Sequence, residues 1–200
     1  IHETVITLLA LSERGHEIVP LAPAIEQRGV VDHRSGNEVE GATRRVDEEA
    51  ARIFRGAPKP PAEAGALDAL VLPGGFGAAL NLCDFALKGP ECSVQQEVRE
   101  LIEGHVRAGR PLGCWCIAPA LVAASLRGEP KVKLTVGKDK DTASAMEALG
   151  ATHVDCEVSD CVVDEEHRVV STPAYMYDAE IHQVRRGIEK AVDVLHGWLS

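Results

Sequence analysis

The chemistry in this chain gathers at Cys116, inside "RPLGCWCIAPAL" (residues 110–121). An apolar, strand-like run from Pro111 to Trp115 meets the cysteine, and a small, helix-starting segment, Ile117-Ala118-Pro119-Ala120, follows at once. Two readings compete. A free cysteine is commonly a small buried apolar residue. A cysteine between a strand and a helix can instead be a nucleophile. The helix N-terminus favours thiolate, the sharp turn exposes the sulfur, and the next backbone N–H, that of Ile117, is free to face a developing oxyanion. A second oxyanion donor needs a bare backbone nearby. Gly74 and Gly75 in "LPGGFG" offer one, since glycine tolerates close approach and unusual dihedrals. A glycine pair after a strand also reads simply as a tight turn.

The elements that must position these groups follow from periodicity. Residues 2–14 carry Val5, Ile6, Leu8, Leu9 and Leu11 at helical spacing, and Gly15 ends that helix. "EIVPLAP" reads as a short strand, "GVVDHRSGNEVEG" as a hairpin around Ser35-Gly36-Asn37, and "TRRVDEEAARIFRG" as a charged helix. "LDALVLPGGFG" is a buried strand running into a glycine-rich loop. Ser93 with Gln96 predicts a capping box opening a helix that Gly109 closes. After the Cys116 strand and its helix come a strand in "VKLTVG", a helix in "DTASAMEALG" and short strands in "THVDCEV", "CVVD" and "HRVVSTP". A long helix from about Asp178 to Leu199 finishes the chain, its apolar face holding Ile181, Val184, Ile188, Val192 and Leu195.

Strands alternating with helices predict an α/β fold, a flavodoxin-like three-layer sandwich with a mostly parallel sheet, over a single domain of residues 1–200. Ligands bind such sheets at the carboxyl ends of the strands, so the "PGGFG" loop and Cys116 are expected on one edge. The chain opens on a helix where a doubly wound fold opens on a central strand, so an N-terminal strand is expected to be missing ahead of Ile1.

Composition bounds the function. Charged residues are 26% and the net charge is −10, with no basic stripe to offset it. That argues against nucleic acid and against an anionic membrane as partners. No apolar run approaches the length of a membrane span. Six cysteines (Cys83, Cys92, Cys114, Cys116, Cys156, Cys161) are too many to ignore, but a domain of this size needs no disulfide staples. None has zinc-knuckle spacing, and the eight histidines are scattered, so no metal is expected.

"ALVLPGGFGAALNL", "GCWCIAPAL" and "VVSTPAYM" together resemble the ThiJ/PfpI superfamily of the class I glutamine amidotransferase-like fold, and within it the ElbB subfamily of isoprenoid-biosynthesis or glyoxalase-like proteins. The resemblance spans essentially the whole chain. It implies that Cys116 is the elbow nucleophile, with Ile117 and Gly75 as oxyanion donors. Glu3 in "IHET" matches the glutamate that hydrogen-bonds the cysteine sulfur, where a protonated carboxyl would lower the thiol pKa and shuttle protons. Gly74, Phe76, Asn81, Arg44 and Thr172 match positions around the substrate pocket. The implied reaction is cofactor-free conversion of a small reactive aldehyde, glyoxal or methylglyoxal, to glycolate or lactate; the alternatives are a redox-sensing or interaction protein and an amidohydrolase. A homodimer, in the cytoplasm or in a mitochondrion, is also implied. Two departures stand out. Protease-like members carry histidine directly after the nucleophile, where this chain has Ile117, and others place one where it reads "KLTVG". A Cys-His dyad is therefore not supported. His2 and His182 are the histidines left to watch.

Overall fold

The computed structural model describes residues 1–200. Its centre is a four-stranded sheet in the order β3 (Leu70–Leu72), β4 (Leu112–Trp115), β8 (Val169–Thr172) and β7 (Val162–Asp164). β3, β4 and β8 run parallel, with Leu72 opposite Cys114 and Trp115 opposite Thr172, and β7 closes one edge antiparallel. β5 (Lys133–Leu134) and β6 (Thr152–His153) form a small parallel pair. β1 (Val31–Asp32) and β2 (Asn37–Glu38) are the expected hairpin.

Strand alternation sorts side chains onto two faces. Leu112, Cys114 and Val169 point to one core with Ile102, Leu121 and Met146, supplied by α4 (Gln96–Arg107), α5 (Ala118–Leu126) and α6 (Lys140–Ala148). Trp115 and Val170 point to the other, against Ala10 of α1 (His2–Glu13) and Val184, Ile188, Val192 and Leu195 of α7 (Ile181–Leu199). The result is the three-layer α/β sandwich with a mostly parallel sheet. α2 (Val46–Phe54) has no buried residue, and the single turn α3 (Phe85–Lys88) adds Phe85 to the first of these cores.

Three local expectations fail. "EIVPLAP" is not a strand: Leu21 alone bridges, in parallel with Lys59. Ser93 caps nothing. Its N–H donates to Asp84 Oδ1 while Val94 stays extended to bridge Cys83, so α4 starts only at Gln96. The capping box forms instead between Glu180 and Gln183 at the start of α7. Ile181, placed on the apolar face of that helix, is 47% exposed because it sits in the first turn, outside the packed stripe. All six cysteines are free thiols.

Candidate active site

The three parallel strands end on the same edge. β3 runs into Pro73-Gly74-Gly75, β4 into Cys116-Ile117, and β8 into Pro173-Ala174-Tyr175. The register that places Trp115 beside Thr172 lets the Cys116 N–H donate to the Thr172 carbonyl at 3.0 Å. That bond holds the backbone just where it must turn, and Cys116 takes φ of 56°, a left-handed conformation that a side chain adopts only under constraint. α5 then begins at Ala118 with Pro119 in its first turn, where a missing N–H costs nothing. The elbow read from the sequence is present.

Gly74 is needed for packing. A Cβ there would collide with the Trp115 carbonyl oxygen, stand 2.5 Å from Cys116 Cβ and lie 3.0 Å from Glu3 Oε2. Only a bare backbone lets the β3 loop lie against the nucleophile. Gly75 follows with φ of 101°, and its N–H, like that of Ile117, is directed at the Cys116 sulfur.

Glu3 arrives from α1. Its carboxyl bonds the Cys116 side chain and accepts from the backbone N–H groups of Tyr175 and Gly74, so all three strand ends meet on it. A buried chain of hydrogen bonds fixes α1 in place: the Trp115 indole N–H donates to Thr7 Oγ1 at 2.9 Å, and the Thr7 hydroxyl donates to the Glu3 carbonyl at 2.7 Å.

Glu3 and Cys116 are only 5% and 7% exposed. Burial pushes the thiol up to about 12, and the charge of an ionised Glu3 pushes the same way, against the N–H groups of Gly75 and Ile117. Burial also lifts Glu3 above its ordinary range, against its hydrogen bonds. Between these two titrations the pair holds one proton. The expectation that Glu3 lowers the thiol pKa runs against these directions, since burial and an ionised Glu3 both raise it. Glu3 and Cys116 are thus close enough to exchange a proton.

Phe76 is 70% exposed in the loop after β3, and it and exposed Arg44 line the broad open depression, or cleft, that also reaches Cys116. Two other expected pocket residues serve the scaffold. Asn81 is buried, and its Oδ1 accepts from the Arg28 N–H at 2.9 Å, tying a neighbouring loop down. Thr172 is fully buried beneath the site and donates to the Asp160 carbonyl at 2.7 Å, so its side chain does not reach the cleft. His182 is exposed on α7. Tyr175 is the residue that sequence reading missed. The signal was available, since "TPAYM" leaves β8 as "PGG" leaves β3.

No family model matches the chain. It is 42% identical to the mitochondrial glutamine amidotransferase-like class 1 domain-containing protein 3 of Homo sapiens, over 94% of this chain and 73% of that protein. The crystal structure of an isoprenoid biosynthesis protein with an amidotransferase-like domain from Ehrlichia chaffeensis superimposes with a TM-score of 0.90 at 30% identity, over 98% of this chain and 91% of that one. Glyoxalase III of Candida albicans shares the fold, with a TM-score of 0.56 at 16% identity, over 97% and 87% of the two chains.

Proposed function

The chain belongs to the glutamine amidotransferase-like class 1 proteins of the DJ-1/ThiJ/PfpI superfamily, in the ElbB-like branch, and from that premise we propose a cofactor-independent, glyoxalase-like enzyme acting on glyoxal or methylglyoxal. The observation that carries this reading is the Cys116–Glu3 pair under the N–H groups of Gly75 and Ile117. Cys116 Sγ adds to the aldehyde carbon while its proton passes to Glu3. The oxyanion faces the two N–H groups and takes that proton back from Glu3, giving a hemithioacetal. The hydrogen on C1 then moves to C2 through an enediol, leaving a hydroxyacyl thioester. Water cleaves the thioester, and glycolate or lactate leaves. Atoms balance with water as the sole co-reactant.

The rival readings find less support. A redox-sensing cysteine works through an accessible thiolate, whereas Cys116 is 7% exposed and burial raises its pKa. An amidohydrolase of the cysteine type calls for a histidine partner, and the residue after Cys116 is Ile117. The human relative is mitochondrial by name, and the proposal carries a mitochondrion over beside the cytoplasm as the compartment. No helix is long and apolar enough to cross a membrane.

The test is loss of methylglyoxal and appearance of lactate without glutathione, comparing wild type with Cys116→Ala. Turnover that disappears in the variant supports the reading. Equal rates in two folded proteins would sink it.

A further inference from the structure

A second pair of groups stands at the mouth of the cleft. His2 and Tyr175 are 173 positions apart, yet His2 Nδ1 and the Tyr175 hydroxyl oxygen are 2.8 Å apart, with ring centroids separated by 5.7 Å. Both residues are fixed by elements of the site. His2 directly precedes Glu3 on α1. Tyr175 follows Ala174, whose φ of 44° turns the chain sharply after β8, and the Tyr175 N–H donates to the Glu3 carboxyl. Tyr175 is half-buried and His2 exposed, and both line the cleft with Cys116 and Ile117. The pair therefore bridges the buried chemistry and solvent.

The proposed reaction has a use for such a bridge. Hydrolysis of the thioester consumes a water whose two protons have different destinations. One returns to the cysteine sulfur as the C–S bond breaks, and Glu3 beside the sulfur can pass it. The other must leave the protein, because the hydroxy acid departs as its carboxylate. Glu3 is 5% exposed, and Tyr175, whose N–H is on its carboxyl, stands between it and the exposed His2.

The geometry points to Tyr175 and His2 as the proton exit of the site. As the water oxygen bonds to the acyl carbon, one water proton passes to the Tyr175 oxygen, the phenol proton passes to His2 Nδ1, and the imidazolium releases a proton to solvent from Nε2. Tyr175 meets the attacking water; His2 acts through it. The inference rests on the glyoxalase-like reading and adds to it the base that the missing histidine leaves unassigned.

The experiment is steady-state turnover of methylglyoxal by wild type, Cys116→Ala, Tyr175→Phe, His2→Gln and His2→Ala, with the rate of Cys116 labelling by iodoacetamide measured in parallel. Tyr175→Phe and His2→Gln are expected to lower kcat by about 10²-fold with little change in KM, since general acid–base catalysis is worth at least that. Gln keeps a hydrogen-bond acceptor for Tyr175 but cannot carry the proton. Labelling of Cys116 should be unchanged. Added imidazole should restore turnover in His2→Ala and not in Tyr175→Phe, which a structural role would not produce. If Cys116→Ala is inactive while both Tyr175→Phe and His2→Gln turn over at the wild-type rate, the exit is elsewhere and the glyoxalase-like reading survives. A loss of kcat accompanied by altered labelling and no rescue by imidazole also overturns it. Wild type no faster than Cys116→Ala overturns the reading and the exit together.

Discussion

At the scale of single residues, burial raises the pKa of both Cys116 and Glu3, and the two groups face each other with one proton to share. Charge on Glu3 is one of the causes holding the Cys116 thiol high. Glu3→Gln removes that charge and leaves an amide that can donate to sulfur. The pH profile of Cys116 alkylation should then move to lower pH, so that labelling at pH 8 becomes faster. Turnover of the aldehyde should meanwhile fall by about 10²-fold or more, because the group that receives and returns protons is gone. A variant that alkylates more slowly than wild type would show that Glu3 activates the thiol at rest. Gly74 offers a second residue-scale test. The two atoms its Cβ would meet most closely are a backbone oxygen and the base of the nucleophile, neither of them a flexible side-chain tip. Gly74→Ala should cost about 1–3 kcal/mol in denaturant unfolding, the usual range for overpacking, and should slow Cys116 labelling. The positions of Cys116 and the two glycines at strand ends were legible in the sequence, and Glu3 entered only through the family resemblance. Their electrostatics were not, because a pKa depends on how deeply the fold buries a group, and helix-start or turn position alone suggests an exposed one.

At the scale of elements, legibility followed the length and regularity of the pattern. The hairpin, α1, α5 and α7 each carry their own turn residues or apolar stripe, and the sequence marks them. "EIVPLAP" has the composition of a strand, but a strand needs a neighbour, and only Leu21 finds one. The Ser93 box lost because Asp84 takes the Ser93 N–H and the Cys83–Val94 bridge keeps the chain extended past it. α4 also hides a feature that no pattern announces. His105 is 1% exposed with neither ring nitrogen hydrogen-bonded, and burial beside Arg110 lowers its pKa from 6.5 to about 4. In the unfolded chain an imidazole takes its proton at about 6.5. Between that pH and about 4 the unfolded state binds a proton that the folded state refuses. Stability should therefore fall as pH drops through this window, by up to about 3 kcal/mol, and His105→Leu should remove that part of the loss. Urea unfolding at pH 7 and pH 4.5 reads it directly. An unchanged pH dependence in His105→Leu would assign the acid sensitivity to other groups.

At the scale of the whole molecule, the fold and the net charge act on the substrate together. Three parallel strands deliver the glycine loop, the nucleophile and the tyrosine to one edge, and α1 brings the carboxyl to the same point, so a ligand at Cys116 lies close to Glu3. The chain carries −10 overall, which adds a far field of the same sign. Exposed Arg44 on the cleft opposes both. These contributions can be separated with a neutral and an anionic alkylating agent. Relative to a free cysteine peptide, Cys116 should prefer iodoacetamide over iodoacetate by on the order of tenfold at low salt. Raising ionic strength should narrow that preference part-way, because salt screens the distant charges and leaves the close, buried ones. Glu3→Gln should remove much of the remainder, and Arg44→Ala should widen the preference. That outcome would favour neutral dicarbonyls such as methylglyoxal as the electrophiles the site admits over aldehydes bearing a carboxylate. If iodoacetate reacts as fast as iodoacetamide at low salt, Arg44 dominates the approach, and the substrate search should turn to oxo-acids.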